Sequence, residues 1–319
     1  PATGGIWDST RGFAQDKVLT SFTNNTEGAN SNGFAVATTD GFTVEDGTSG
    51  ANPRTATNKN AKNYVAWQWK ANGGTTSSNT DGSITSTVQA NTTAGFSIVT
   101  YTSAAGGQTI GHGLGVIPEM YIIKERTTSG DDWFVYHSAL GEGKKLRLSA
   151  TSAAESDTNI WQNTAPTTTV AYLQNDGGGV NQNTGGNQNY VAYFFNSVKG
   201  YSKIGSFTGN NSSDGAFVYL GFTPRWLMVK NTTQSHANHS WIIFDSARET
   251  NNVIDTFLEA DTNAAETTSG RNEVDFLSNG FKARSSYGDF NGGSGHNFVY
   301  MAFAEHPFVS SKGVPVTAR

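Results

Sequence analysis

Apolar residues along this chain come in short runs that never settle into a helical period. "KLRLSA" (145–150) alternates apolar and polar positions, as a half-buried strand does. "MYIIK" (120–124) and "WLMVK" (226–230) are apolar and rich in β-branched residues. "WFVYHS" (133–138) and "WIIFDS" (241–246) are aromatic runs that end in polar turns. Asp-Gly and Asn-Gly pairs at Asp40, Asp214 and Asn279 supply the turn chemistry between runs. The pattern predicts an all-β protein.

The runs repeat. "NYVAWQWKANGG" (63–74) returns as "NYVAYFFNSVKG" (189–200) and, more loosely, as "NFVYMAFAEHPF" (297–308). A serine two positions after an aromatic precedes each copy: Ser9 after Trp7, Ser138 after Tyr136, Ser246 after Phe244. From these serines to Tyr64, Tyr190 and Phe298 the spacings are 55, 52 and 52 residues. An upstream half occurs only twice. It runs from "GFSIVTYT" at Gly95 to Pro118, and from "GYSKIGSFT" at Gly200 to Pro224, over 23 and 24 residues. The full unit is therefore about 105 residues, an ordinary domain size.

This periodicity predicts tandem antiparallel β-sandwich modules, jelly-roll-like, with the first truncated at its N-terminus. The expected divisions are 1–70 for a partial first module, 71–94 for a Ser/Thr/Gly-rich linker, 95–199 for the second module and 200–319 for the third. Within the linker "SITSTVQ" (83–89) is read as one edge strand. Only eight residues precede Ser9, so the chain is expected to be the later part of something longer. In the recurring strand Val65, Trp67 and Trp69 share a face, as do Val191, Tyr193 and Phe195, and Val299, Met301 and Phe303. Large residues recur on that face. It is read as the core face, and the Trp pair as core rather than as a sugar-stacking platform.

Composition narrows the function. Only 15% of residues are charged, aromatics are 12% and the net charge is −5. Nucleic-acid binding is not expected, because no basic patch is present to neutralise phosphates. "GKKLR" (143–147) reads as a solvated strand end. The chain has no cysteine, which excludes disulfides, thiolate metal sites and Cys nucleophiles. No apolar run approaches the roughly 18 residues of a membrane span, so membrane insertion is not expected.

No catalytic residues, metal ligands or cofactor are assigned, and the binding residues are left unknown. Of the six histidines (His112, His137, His236, His239, His296 and His306), His137 holds the slot that Asp8 and Asp245 fill in the other copies. It is therefore read as a turn hydrogen-bonder. His236 and His239 are read as a polar loop for want of a third ligand. Residues 176–188 are rich in Asp and Asn but lack the alternating acids of a calcium loop. "GHGLG" (111–115) does not open a helix, so it is no dinucleotide fingerprint. Asp131 and Asp132 are an adjacent acidic pair read as solvated at a turn. "GGSGHN" (292–297) fails as a nucleophile elbow. Sequons at Asn24, Asn91 and Asn231 follow from composition.

The motifs "GHGLGVIPEMYIIK", "VAYFFNSVKGYSKIGSFTGN" and the terminal "AFAEHPF…PVTAR" lie in a pattern that covers nearly the whole chain. It resembles repeat-containing tail-fibre-like proteins of marine tailed bacteriophages. The resemblance implies a structural and host-recognition role, with no catalytic residues to carry over. On it rests the expectation of a virion appendage protein, a tail fibre or capsid decoration fibre, located on the extracellular virion. It would contact other virion proteins, form a homo-oligomer (a trimer is favoured) and meet a host glycan or outer-membrane receptor through loops. The alternative is a secreted carbohydrate-binding β-sandwich module, for which Trp161 and Tyr287 are the expected exposed aromatics. A depolymerase is the weakest reading, because neither a long β-helix nor an acid pair is evident.

Overall fold

The computed structural model describes residues 4–28, 35–38, 41–44, 57–58, 60–175, 179–183, 186–268, 270 and 273–307. Among these the regular structure is β, apart from one 3-10 turn at Gln15–Lys17. Asp40 and the terminal "PVTAR" lie outside the described residues.

Near the start, β1 (Ala35–Ala37) and β2 (Phe42–Val44) form a small antiparallel ladder. The second unit supplies one large sheet. In chain order its strands are β3 (Ser77–Asn79), β4 (Ser86–Asn91), β5 (Phe96–Thr102), β6 (Gln108–Gly111), β7 (Met120–Glu125), β8 (Phe134–His137), β9 (Lys144–Arg147), β10 (Glu155–Ser156), β11 (Val170–Leu173) and β12 (Asn189–Phe195). The third unit supplies β13 (Ser202–Thr208), β14 (Phe217–Tyr219), β15 (Pro224–Asn231), β16 (Ile242–Asp245), β17 (Thr256–Glu259), β18 (Thr267–Thr268), β19 (Val274–Leu277), β20 (Gly280–Ala283) and β21 (Asn297–Ala304).

The two large sheets have one topology. The order β10-β9-β8-β7-β12-β5 in the second unit corresponds strand for strand to β18-β17-β16-β15-β21-β13 in the third. The smaller pairs correspond too: β6 with β11, and β14 with β20. Turn contacts repeat with them. Thr127 Oγ1 accepts from Asn189 N–H at 2.9 Å, and Thr233 Oγ1 accepts from Asn297 N–H at 2.8 Å. Ser138 N–H donates to the Glu119 carbonyl, and Ser246 N–H to the Arg225 carbonyl.

Residues 71–94, expected as a linker, carry β3 and β4. Both extend the second unit's sheet beyond β5, with Thr87–Asn91 laddered on Phe96–Thr100. Ile84 and Val88 are buried in that unit's interior. A Ser/Thr-rich composition obscured two well-placed apolar residues. Conversely, residues 63–71 form no strand.

Both central strands are buried on both faces. Tyr190, Ala192 and Phe194 line an interior belonging to the second unit. Phe298, Tyr300, Ala302 and Ala304 line one belonging to the third. The face expected as core is buried as expected, but the core it lines is common to two units. Val191, Tyr193 and Phe195 meet Val299, Met301 and Phe303 in an interior shared by the two large sheets. Trp67 and Trp69 pack at its margin, edge-on to Trp226 at 6.2 and 5.4 Å between ring centres. The units therefore share a core, at about 2 kcal/mol for each large side chain removed from water.

Candidate functional site

The junctions between units concentrate the polar chemistry. Asp8 and Arg11 form a tight turn. Asp8 Oδ1 accepts from the N–H groups of Thr10 and Arg11, and Asp8 Oδ2 accepts from Arg11 Nε at 2.5 Å. Arg11 also donates to the Ile6 carbonyl and to Glu27 Oε1. Asp245 and Arg248 repeat the whole set. Asp245 Oδ1 accepts from Ala247 and Arg248 N–H, and Oδ2 from Arg248 Nε at 2.6 Å. Arg248 donates to the Ile243 carbonyl and to Glu266 at 2.5 Å. A short side chain that satisfies two turn donors is what favours Asp there. In the second unit His137 Nδ1 accepts from Ala139 N–H at 3.2 Å, and Leu140 stands where the arginine would be.

Each of these turns is met by the recurring aromatic segment of another unit. Tyr193 donates to Asp8 Oδ2 at 2.7 Å, and Trp67 Nε1 to Asp245 Oδ2 at 3.2 Å. His137 faces the Tyr300 carbonyl, with Nε2 short of a full hydrogen bond. Residues 67, 193 and 301 occupy one position of the repeat. Contacts therefore run from the second unit to the first, from the third to the second and from the first to the third. A second series follows the same direction. Trp133 Nε1 donates to the Thr20 carbonyl at 2.9 Å, and Trp241 Nε1 to the Arg147 carbonyl at 2.8 Å. By strand register Thr20 and Arg147 are equivalent positions. Ser21 Oγ donates to the Ala260 carbonyl and links the first unit to the third.

Two buried lysines were missed in the sequence, although each ends an apolar strand. Lys124 Nζ donates to the Glu125 and Asp131 carbonyls. Lys230 Nζ donates to the Asn231 and His239 carbonyls and across the junction to the Thr151 carbonyl. Burial pulls the Lys230 ammonium down to about 8, and nearby Asp261 offsets part of that. Burial likewise holds His137 down at about 4, with the Tyr300 carbonyl partly offsetting it.

Between the second and third units a cleft of about 510 Å3 opens, lined by Leu140, Lys144, Ala154, Ser206, Thr232 and Asn297 among others. At the junction between the first and second units the equivalent space holds a charged network. There Glu27 accepts from Arg11 at 2.7 Å and from Arg126 at 2.8 Å, and Lys17 lies 3.8 Å from it.

His112 is buried, with Nδ1 accepting from Leu114 N–H. The glycines of "GHGLG" answer to space and backbone: a Cβ on Gly111 would lie 1.7 Å from Asn79 Oδ1, and Gly113 has φ of 70°. His236 and His239 rings lie 5.1 Å apart, and no cluster of metal-ligating side chains occurs among the described residues. His296 Nδ1 contacts Asn231 Nδ2, and His306 is exposed. Asp132 binds Arg147 and Ser149, so it is not merely solvated. Of residues 176–188, Asn181 Oδ1 caps Ala104 N–H; residues 176–178, 184 and 185 lie outside the described residues. Asn231 of its sequon is fully buried, its amide donating to the Gly288 carbonyl. Trp161, expected as an exposed aromatic, is 0% exposed, edge-on to Tyr121 and Tyr136. Tyr287 is 51% exposed, and so are Phe217 at 48% and Tyr219 at 58%, two residues apart on one face of β14.

Among curated proteins and solved structures no match to the chain is found. A family match covers residues 2–307, spanning all three copies and the segment between them. The chain belongs to the family described as a domain of unknown function, DUF7483.

Proposed function

We propose that this chain is a non-catalytic structural protein of a phage virion appendage, a tail fibre or capsid decoration fibre, that presents loops to a host surface. The observation that carries this reading is the cycle of like contacts joining the three units. Rigid packing of repeats suits a block that must hold loops in fixed relation outside a cell. The partners are other virion proteins, with trimers of the block adding avidity at the particle. Antibody-gold labelling of intact particles tests it. Label at a tail or capsid fibre is expected, and particles lacking the protein overturn it.

A second reading, a carbohydrate-binding module, draws on the exposed pair Phe217 and Tyr219. Gly280 lies opposite Tyr219 and presents no side chain to cover the ring, and Lys203 Nζ sits 5.5 Å from its centre. Binding on a glycan array that disappears in Phe217→Ser/Tyr219→Ser favours this reading over a purely structural one.

A further inference from the structure

The junction of the first unit with the second and that of the second with the third differ in their charged side chains. Aligning the turns places Leu140 where Arg11 stands, because each lies three residues after His137 or Asp8. Counting along the chain places Lys144 where Lys17 stands: each lies two residues before a leucine, Leu146 or Leu19, that pairs with the residue two before the turn, Val135 or Ile6. Across each junction one backbone bond fixes the rest. Glu27 N–H donates to the Arg126 carbonyl, and Ala154 N–H to the Thr232 carbonyl. Ala154 therefore replaces Glu27, and Thr232 replaces Arg126.

Three charged side chains are thus exchanged for Leu140, Ala154 and Thr232, while the lysine is kept. The first junction holds a carboxylate among two guanidinium groups and an ammonium. The second keeps the ammonium of exposed Lys144 beside the cleft of about 510 Å3. Ser206 and Asn297 add hydroxyl and amide groups to its wall, and Leu140 and Ala154 add a small apolar floor.

We propose that this cleft binds an acidic sugar residue, whose carboxylate takes the place that Glu27 fills at the first junction. Lys144 supplies the opposite charge, the polar wall meets ring hydroxyls, and the apolar floor packs the ring carbons. The proposal deepens the host-surface reading and rests on its glycan-binding element.

The test is a titration of the whole chain with D-galacturonate, with D-galactose and acetate as controls, followed by amide chemical shifts. Galacturonate is expected to move the amides of Lys144, Ala154 and Thr232, and to bind at least about tenfold tighter than either control, the scale of one charge-assisted hydrogen bond. Lys144→Ala is expected to weaken it about tenfold with an unchanged melting temperature. The triple variant Leu140→Arg/Ala154→Glu/Thr232→Arg rebuilds the filled junction and should abolish binding. The proposal is overturned by galacturonate shifts that ignore these amides, by acetate binding as tightly as galacturonate, or by full affinity in Lys144→Ala. Shifts confined to Phe217 and Tyr219 would overturn it while leaving glycan adhesion intact. Absence of the protein from particles would remove the appendage role without touching the cleft.

Discussion

The Tyr193 hydroxyl donates to Asp8 Oδ2 across 185 residues of chain, at 2.7 Å and between two buried residues. Asp8 is thereby held from two sides, by the tyrosine and by Arg11, whose side chain is itself buried. This pair is the polar closure of the first junction, and Trp67 on Asp245 is its counterpart at the junction of the first unit with the third.

Asp8→Ala takes from the buried Arg11 guanidinium one of the two carboxylates it pairs with and leaves it Glu27, so a loss of about 3 kcal/mol, the low end for a broken buried pair, is expected in urea unfolding. Tyr193→Phe deletes one hydrogen bond to a charged group and should cost about 2 kcal/mol. A loss under half a unit in both variants would show that the first unit does not dock on the second in solution.

The shared interior makes a statement about cooperativity. Trp241 is fully buried and joins the third unit to the second through the Arg147 carbonyl. Trp241→Ala should cost about 3–5 kcal/mol by loss of packing and cavity formation. Because the interior belongs to both large sheets, calorimetry should show one transition that moves as a whole. Two transitions, with only one displaced, would mean that the units melt as independent beads.

Acid should weaken the fold through His137. Its folded value lies near 4, below the ordinary value of 6.5, because burial favours the neutral ring. The unfolded chain then binds the proton first. Stability is full above about pH 6.5 and is lost as pH falls toward 4, by about 3 kcal/mol from this group. Below that both states are protonated and the loss levels off. His112, lowered by burial in the same direction, adds to the slope. His137→Asn keeps an acceptor for Ala139 N–H and carries no titration. Denaturant melts of this variant from pH 7 to pH 4 should shrink the loss by about 3 kcal/mol; an unchanged slope would place the acid sensitivity elsewhere.

Much of this architecture was legible. The spacing of Ser9, Ser138 and Ser246 to the aromatic strands marked the repeat, and Asn189 and Asn297 do occupy matching bonds. The junctions were not legible, for a physical reason. Alternation identifies a buried face but not what buries it. Tyr193 and Met301 read as the inside of one sandwich, whereas they line the space between two sheets. The opposite face of β12, with Tyr190 and Phe194, carries an equal apolar signal and lines the second unit's own interior. Lys230 was hidden because a lysine after an apolar run normally marks a strand reaching solvent. Here the ammonium ends on three backbone carbonyls. The cleft could not be found from one unit alone, because it is defined by what Leu140 and Ala154 lack relative to Arg11 and Glu27.

The aromatics separate stability from adhesion. Trp161 is enclosed by Tyr121 and Tyr136, and its Nε1 donates to the Lys144 carbonyl at 2.9 Å. Trp161→Ala should therefore cost about 3–5 kcal/mol, and any loss of glycan binding in it would follow unfolding. Tyr219 projects from the face of β14 that looks away from the interior, while Val218 between it and Phe217 points in. Tyr219→Ser should change stability by about 0.5 kcal/mol or less, as exposed substitutions do. If the β14 face contacts sugar, Tyr219→Ser loses that binding at an unchanged melting temperature. Equal binding by wild type and Tyr219→Ser would remove the β14 face from any role in recognition.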